Sequence, residues 1–312
     1  MKTNNFAAFI LTHGRADNVT TYKILRRQGY TGPIYLIVDD EDPQEQQYRE
    51  KYGDQVISFS KVEAAALFDE GDNFDDRRAV VYARNMLWKI AERLGVEYFI
   101  ELDDDYSLFL YRIDENGLYG HWKINCDWLF DRLCGYLNKT PFATIALSQG
   151  GDHIGGGGGM KSIHAKRKAM NAFICKTDRQ FPFPGRINED ATAYTVLQRA
   201  GLPFLTIMAA QVNQGTTQKN AGGLTDIYLA MGTYIKSFYS VMFCPSAVKI
   251  GSLKSPATRN GVKHEGHERL HHSINWNACA AKIIREAHRK PRVVDKLTLQ
   301  GKGERLRGNP LD

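Results

Sequence analysis

The sequence predicts an α/β chain of Rossmann-like architecture, a mostly parallel mixed sheet flanked by helices. Three observations predict it. Short apolar runs alternate with helical stretches over the first 105 residues. The runs at 7–11, 34–38 and 98–102 each pass directly into a polar cluster. Turn signals at Gly29, Thr31-Gly32-Pro33, Gly53 and Gly95 fall where one element must give way to the next. Parallel strands need long crossovers, and a helix is the usual one.

The elements follow in order. The run 7–11 reads as a buried strand entering the polar loop Thr12-His13-Gly14-Arg15. Residues 18–28 carry helix formers and stop at Gly29, a C-terminal cap signal. A second buried strand, 34–38, ends at Asp39-Asp40, and 44–52 looks helical up to Gly53. A short strand at 55–59 and a helix at 78–94 precede the strand 98–102, which runs into Asp103-Asp104-Asp105. Further on, strands are expected at 143–147, 172–175, 205–208 and 239–243, and helices at 189–201 and 271–288. Ligands of such sheets sit beyond the carboxyl ends of the strands, where Thr12–Arg15, Asp39-Asp40 and Asp103–Asp105 all fall.

Composition narrows the class. A chain of 312 residues, 43% hydrophobic, buries a sizeable core, which excludes a disordered chain, a collagen and a disulfide-stapled mini-protein. The net charge of +6 is unevenly spread: residues 249–312 hold 14 Lys/Arg against 6 Asp/Glu, whereas the first 248 hold 27 against 29. The whole positive surplus thus lies in the last fifth, which suggests a polyanionic partner for that end. Five scattered cysteines, without a CxxC pair or zinc spacing, read as reduced, mostly buried thiols. No apolar run reaches membrane-spanning length and the N-terminus lacks a cleavage site, so the expectation is a cytoplasmic protein with no membrane partner.

Several motifs carry chemistry. Three carboxylates at one strand end repel one another unless a cation or hydrogen bonds offset them. Hard divalent ions such as Mg²⁺ or Mn²⁺ take one or two carboxylates plus substrate phosphate oxygens, and a D-x-D spacing aims two side chains to one side of an extended strand. Asp103 and Asp105 have that spacing, although a solvated acidic turn has the same sequence. Gly14 permits close backbone approach and Arg15 suits a phosphate, or the pair is an ordinary turn. Asp39-Asp40 either accepts hydrogen bonds from a ribose or base or caps a turn. Arg84, in Tyr82-Ala83-Arg84-Asn85, could reach phosphate or sugar, brace the acidic strand end, or form a surface ion pair. Asn188-Glu189-Asp190 opens a helix after the Pro-rich loop 181–185 and offers a carboxylate as general base. The run Gly155–Gly159 lacks the GxxxxGK[ST] of a P-loop and reads as a mobile loop or a plain connector. It is followed by Lys161, Lys166, Arg167 and Lys168, a basic patch. His264, His267, His271 and His272 crowd one stretch without the cysteines of a Cys₂His₂ zinc site.

The ordered set FILTHGR, IYLIVDDED, YARN, ELDDDY, NED and HHSINW resembles the TET/JBP-associated glycosyltransferases of phages with hypermodified pyrimidines, over roughly 6–284. The resemblance implies a glycosyltransferase A fold in one catalytic domain, 1–290, with a nucleotide-binding half (1–105), an acceptor half (106–290) and a basic tail (291–312). It implies a nucleotide-sugar donor and a 5-hydroxymethylpyrimidine of DNA as acceptor, whose phosphates the basic tail and Lys161, Lys166, Arg167 and Lys168 would then grip. Thr12, Arg15 and Asp39 would contact the nucleotide, with His13, Arg84, Asp103 and Asp104 completing the donor side. Asp103 and Asp105 would match the D-x-D metal positions, Asp190 the catalytic base, and His271 or His272 a C-terminal metal ligand. The expected reaction transfers a hexose, glucose from UDP-glucose, to the hydroxymethyl oxygen of hydroxymethylcytosine or hydroxymethyluracil, with Mn²⁺ or Mg²⁺. A protein or small-molecule acceptor, a two-metal nucleotidyltransferase and a non-catalytic DNA-binding module are the alternatives. The last has no use for an acidic triplet at a strand end.

Overall fold

The computed structural model describes residues 5–113, 119–153, 172–214, 227, 232, 234–254, 258–259, 262–263 and 268–280. Strands β1 (Phe6–Leu11), β2 (Ile34–Asp39), β3 (Val56–Phe59) and β4 (Tyr98–Asp103) form the parallel half of one nine-stranded sheet, ordered β3-β2-β1-β4. The sheet continues from β4 through β8 (Phe173–Lys176), β7 (Thr144–Gln149), β9 (Phe204–Gln214), β5 (Tyr106–Ile113) and β6 (Tyr119–Lys123). The pairings make β8 and β5 the strands that run against the rest. This is the mixed, mostly parallel sheet expected, and it extends without interruption across both halves of the chain.

The register aligns the strand ends that matter. Leu11 lies level with Asp103 on one side and Ile37 on the other, so Thr12, Val38 and Asp104 emerge on one edge. Successive side chains of a strand face opposite ways. Phe9 and Phe99 therefore enter one core layer, beneath α4 (Val81–Arg93) and α6 (Glu189–Arg199), whereas Ile10 and Ile100 enter the other, beneath α1 (Thr20–Arg27) and α5 (Cys126–Lys139). Trp88 of α4 anchors the first layer, fully buried, with its ring centre 4.8 Å from Phe181 and 5.7 Å from Phe99. The remaining helices are α2 (Glu45–Tyr52), α3 (Lys61–Ala65), α7 (Ile235–Phe243) and α8 (Trp276–Cys279). Outside the main sheet, β10 (Val248–Lys254) pairs with β13 (Glu268–Ile274), and β11 (Thr258–Arg259) with β12 (Val262–Lys263).

Two readings change, and one stretch gains elements not assigned from the sequence. The segment 239–243 lies within α7, not a strand. Its run of aromatic and branched residues looks strand-like, but Ser237, Tyr239 and Ser240 are buried while Tyr234, Phe238 and Met242 are exposed, a helical spacing. The helix expected at 271–288 begins instead as β13. Pairing with β10 holds His271 and His272 extended, and α8 starts only at Trp276. The elements β5, β6 and α5 come from a stretch with no decisive pattern. Helix α5 has an Asn125 cap, whose side chain accepts from the Trp128 N–H at 2.9 Å. All five cysteines are buried and free, and no helix among the described residues is long and apolar enough to cross a membrane.

Candidate active site

The acidic triplet sits where the chain reverses, between the end of β4 and the start of antiparallel β5. Thr21 of α1 holds the reversal: its hydroxyl donates to the Asp103 carbonyl at 2.6 Å and accepts from the Tyr106 N–H at 2.9 Å. The three carboxylates then go separate ways. Asp104 turns back into the protein, accepting from Thr12 Oγ1 at 2.8 Å and from Arg15 Nη1 at 2.8 Å. Because Thr12 spends its proton on Asp104, the Tyr48 hydroxyl at 2.7 Å donates to Thr12, and Tyr48 itself accepts from the Arg15 N–H at 2.7 Å. Asp103 takes the Tyr106 hydroxyl at 3.3 Å and an ion pair with Arg84 at 3.5 Å. Asp105 accepts from Gln214 Nε2 at 3.3 Å through one oxygen, and its other oxygen, Oδ1, is buried with no hydrogen-bond partner. Burial raises all three carboxyls above their usual range. The neighbouring Asp105 and Asp190 charges lift Asp103 further, and Asp104 lifts Asp105.

An orphaned, buried carboxylate oxygen beside a second carboxylate is a hard-oxygen donor set, which fits a divalent cation. Among the described residues no three His, Cys, Asp or Glu side chains already form a complete cage. His271 and His272, expected to supply a third ligand, lie on β13 with their rings 4.3 Å apart and are part of no such group among the described residues. Two carboxylates plus ligand phosphate oxygens remain the set that the site offers.

Beside the triplet, Asp39 at the end of β2 accepts from His13 Nδ1 at 2.7 Å and from Lys61 Nζ at 2.9 Å. Burial pushes the Asp39 carboxyl up, but the His13 and Lys61 hydrogen bonds outweigh it and hold it below its usual value. His13 is correspondingly raised, chiefly by its bond to Asp39. Gly14, at φ +65° with open space where a Cβ would stand, turns its N–H onto Asp42 at 2.7 Å. Thr12, His13, Arg15, Asp39 and Asp104 thus form one braced wall.

Asp190 lies in the first turn of α6, 8% exposed, its Oδ1 accepting from the Ala191 N–H at 2.6 Å. Its charge is close enough to raise both Asp103 and Glu189. Asn188, which precedes this turn, holds φ at +61°, a left-handed conformation that Asn tolerates better than most residues. Its amide donates to the Ser240 hydroxyl of α7.

A metal-compatible acidic strand end, a braced polar wall on β1 and β2, and a helix-borne carboxylate at their side therefore meet at one edge of the sheet. Comparison with family models matches residues 6–223, well over half of the chain, to the TET-Associated Glycosyltransferase family. The chain belongs to that family.

Comparison with curated proteins finds no match for this glycosyltransferase. Among solved structures it is similar to glucosyl-3-phosphoglycerate synthase from Mycobacterium tuberculosis in complex with Mg²⁺ and UDP, at 12% identity and TM-score 0.43, covering 85% of this chain and 89% of that one. It is also similar to the mannosyltransferase PcManGT from Pyrobaculum calidifontis in complex with GDP-Man and Mn²⁺, at 9% identity and TM-score 0.45 over 78% and 63%. A third is TarS from S. aureus, at 13% identity and TM-score 0.41 over 76% and 65%.

The structure moves Arg84 of this glycosyltransferase from the donor wall to the interior. The side chain is 2% exposed, donates to Glu101, and pairs with Glu189 at 3.1 Å and Asp103 at 3.5 Å. That geometry is the bracing role, since it ties β4 to α6 and thereby Asp103 to Asp190. Burial drives Glu101 up to about 8 and Glu189 up to about 7, with Arg84 opposing both rises. The adjacent Asn85 clamps the Pro-rich loop: its amide donates to the Phe183 carbonyl at 3.0 Å and its carbonyl accepts the Phe183 N–H at 2.9 Å. Glu101, Asp42, Tyr48 and Lys61 are site residues that the sequence reading did not single out. Only Glu101 carries a signal, a carboxylate inside an apolar strand two residues before Asp103, hence on its face. Lys161, Lys166, Arg167, Lys168, the run Gly155–Gly159 and the tail 291–312 lie outside the described residues.

Proposed function

We propose that this glycosyltransferase moves a hexose, glucose from UDP-glucose, onto the hydroxymethyl oxygen of a 5-hydroxymethylpyrimidine in DNA. The observation that carries the reading is the meeting of the half-satisfied Asp105, Asp103 and the helix-borne Asp190 at one strand edge. Asp39, with Thr12, His13 and Arg15, forms the nucleoside wall, and its braced geometry limits reorganisation on donor binding. Asp103 and Asp105 would hold a divalent cation, Mn²⁺ or Mg²⁺, which when bound offsets charge on the donor diphosphate. Asp190 accepts the proton of the acceptor hydroxyl as that oxygen attacks the anomeric carbon, and the bond from that carbon to the diphosphate oxygen breaks to release UDP. Arg84 keeps Asp103 and the first turn of α6 in fixed relation through the attack. A base inside a duplex cannot reach such an enclosed carbon, so the target nucleotide turns out of the stack. The positive surplus of residues 249–312 supports a polyanionic acceptor, and a cytoplasmic setting agrees with that substrate.

The test is incubation with hydroxymethylcytosine DNA and hydroxymethyluracil DNA and a panel of UDP-sugars, read by mass spectrometry of the nucleosides. A hexose mass on one modified base supports the reading. Transfer to protein but not to DNA overturns the acceptor, and release of pyrophosphate in place of UDP overturns the reaction class.

A further inference from the structure

The acceptor half holds a second polar cluster, on the far edge of the sheet. Arg112 of β5 is 7% exposed. Its titration feels burial alone, downward, because among the described residues no carboxylate stands close enough to offset it. Its Nη1 donates to His121 Nε2 of β6. The guanidinium carbon lies 4.4 Å from the centre of the Tyr119 ring. Arg112 Nε and the Tyr119 hydroxyl are both buried without a hydrogen-bond partner. A buried charge without a counter-ion is costly, and a guanidinium fork matches a phosphate in charge and shape.

The backbone builds this cluster deliberately. Tyr111 pairs with Trp122 and then Ile113 with Tyr119, so Gly120 and His121 together oppose Arg112. That extra residue is a β-bulge, a feature that re-aims side chains next to functional sites. The Tyr119 ring approaches His153 at 5.9 Å, and His153 Nε2 donates to Ser148, whose hydroxyl donates to the Ala210 carbonyl. Nearby on β7 and β9, Gln149 Nε2 and Gln211 Oε1 are also buried without partners. His121 is exposed, so the cluster meets solvent. Six residues of strand separate Arg112 from Tyr106, about 20 Å at the rise of a β-strand, too far to serve the donor diphosphate.

We infer that Arg112, Tyr119 and His121 form a phosphodiester subsite that grips the acceptor backbone away from the reacting hydroxyl. The inference rests on the nucleic-acid acceptor proposed above. The alternative is a purely structural staple across β5 and β6.

The test titrates a fluorescein-labelled hydroxymethylcytosine duplex by anisotropy over a salt series, beside thermal melting and UDP-glucose titration. Arg112→Gln should bind the duplex about tenfold more weakly, and its plot of log affinity against log salt should be shallower by about one, with donor binding unchanged. A lowered melting temperature with wild-type DNA affinity and salt slope overturns the subsite. If Arg112→Gln does not fold, Arg112→Lys replaces it: severalfold weaker binding at unchanged slope supports the fork, and unchanged affinity overturns it. A wild-type enzyme that binds no DNA overturns the nucleic-acid acceptor and the subsite together. Wild-type binding that the variants leave untouched overturns the subsite alone.

Discussion

The two ends of the sheet differ in how they pair their charges. At the β1–β2–β4 edge each cation of the wall meets a carboxylate, Arg15 at Asp104 and His13 and Lys61 at Asp39, although Arg15 Nε is buried without a hydrogen-bond partner. At the β5–β6–β9 edge Arg112 Nε, Tyr119 OH and Gln211 Oε1 are buried and unanswered. Asp105 stands between them, one oxygen satisfied and one not. A satisfied network is rigid and pre-organised, whereas an unsatisfied buried group stores a desolvation cost that a ligand can relieve. On the proposed function, the contrast implies a donor wall built before its ligand arrives, with Asp105 and the far edge completed by what binds.

The largest effect should come from Asp190, the carboxylate proposed as the base. Asp190→Asn should lower kcat by about 10²–10⁴-fold and leave UDP-glucose binding near wild type, measured by transfer to hydroxymethyl DNA and by calorimetric titration. Full activity in that variant would remove Asp190 from the base role. Next, Asp105→Ala should abolish the metal dependence of donor binding, whereas Asp104→Asn, which perturbs an internally paired group, should keep that dependence. Equal responses would erase the distinction between the two carboxylates.

A third change probes the interior brace. Arg84→Met leaves Glu101 and Glu189 without their cation, which should cost roughly 3–5 kcal/mol in denaturant unfolding. A loss below about 1 kcal/mol would mean that the two carboxyls carry their protons and do not need it.

The smallest effect concerns the exposed end of the donor wall. His13 is raised above 6.5, so its contribution is complete below that pH and fades as pH rises through the higher folded value. Asp39 is lowered below 3.8, so its contribution is present above that pH and fades as pH falls through the lower folded value. The melting temperature gap between wild type and His13→Gln should therefore be widest from about pH 4 to 6.5 and narrow above it. A gap that widens toward alkaline pH would contradict the pairing.

The site was unevenly legible in the sequence. Asp103–Asp105, Thr12–Arg15 and Asp39 could be read because each ends an apolar run, and a parallel sheet gathers such ends on one edge. Asp190 was readable from its place in a first helical turn after a Pro-rich loop. Tyr48 and Lys61 were not, because each reaches the site from a helix whose own pattern says only that one face is buried. The distinct fates of Asp104 and Asp105 were equally hidden: adjacent residues of one type differ only in what Arg15 and Gln214 bring to them.

The sequence by itself determined the strand–helix alternation, the polar strand ends and the uneven charge, because these follow from local periodicity and composition. The tertiary structure decided the rest. Pairing with β10 made a strand of 268–274, since an extended segment gains its hydrogen bonds only from a neighbour. Burial turned Arg84 from a candidate ligand contact into the brace between Asp103 and α6, because a guanidinium taken out of water must keep its carboxylates. A bulge between β5 and β6 set Arg112 against Tyr119 and His121, a juxtaposition fixed by register rather than by spacing along the chain.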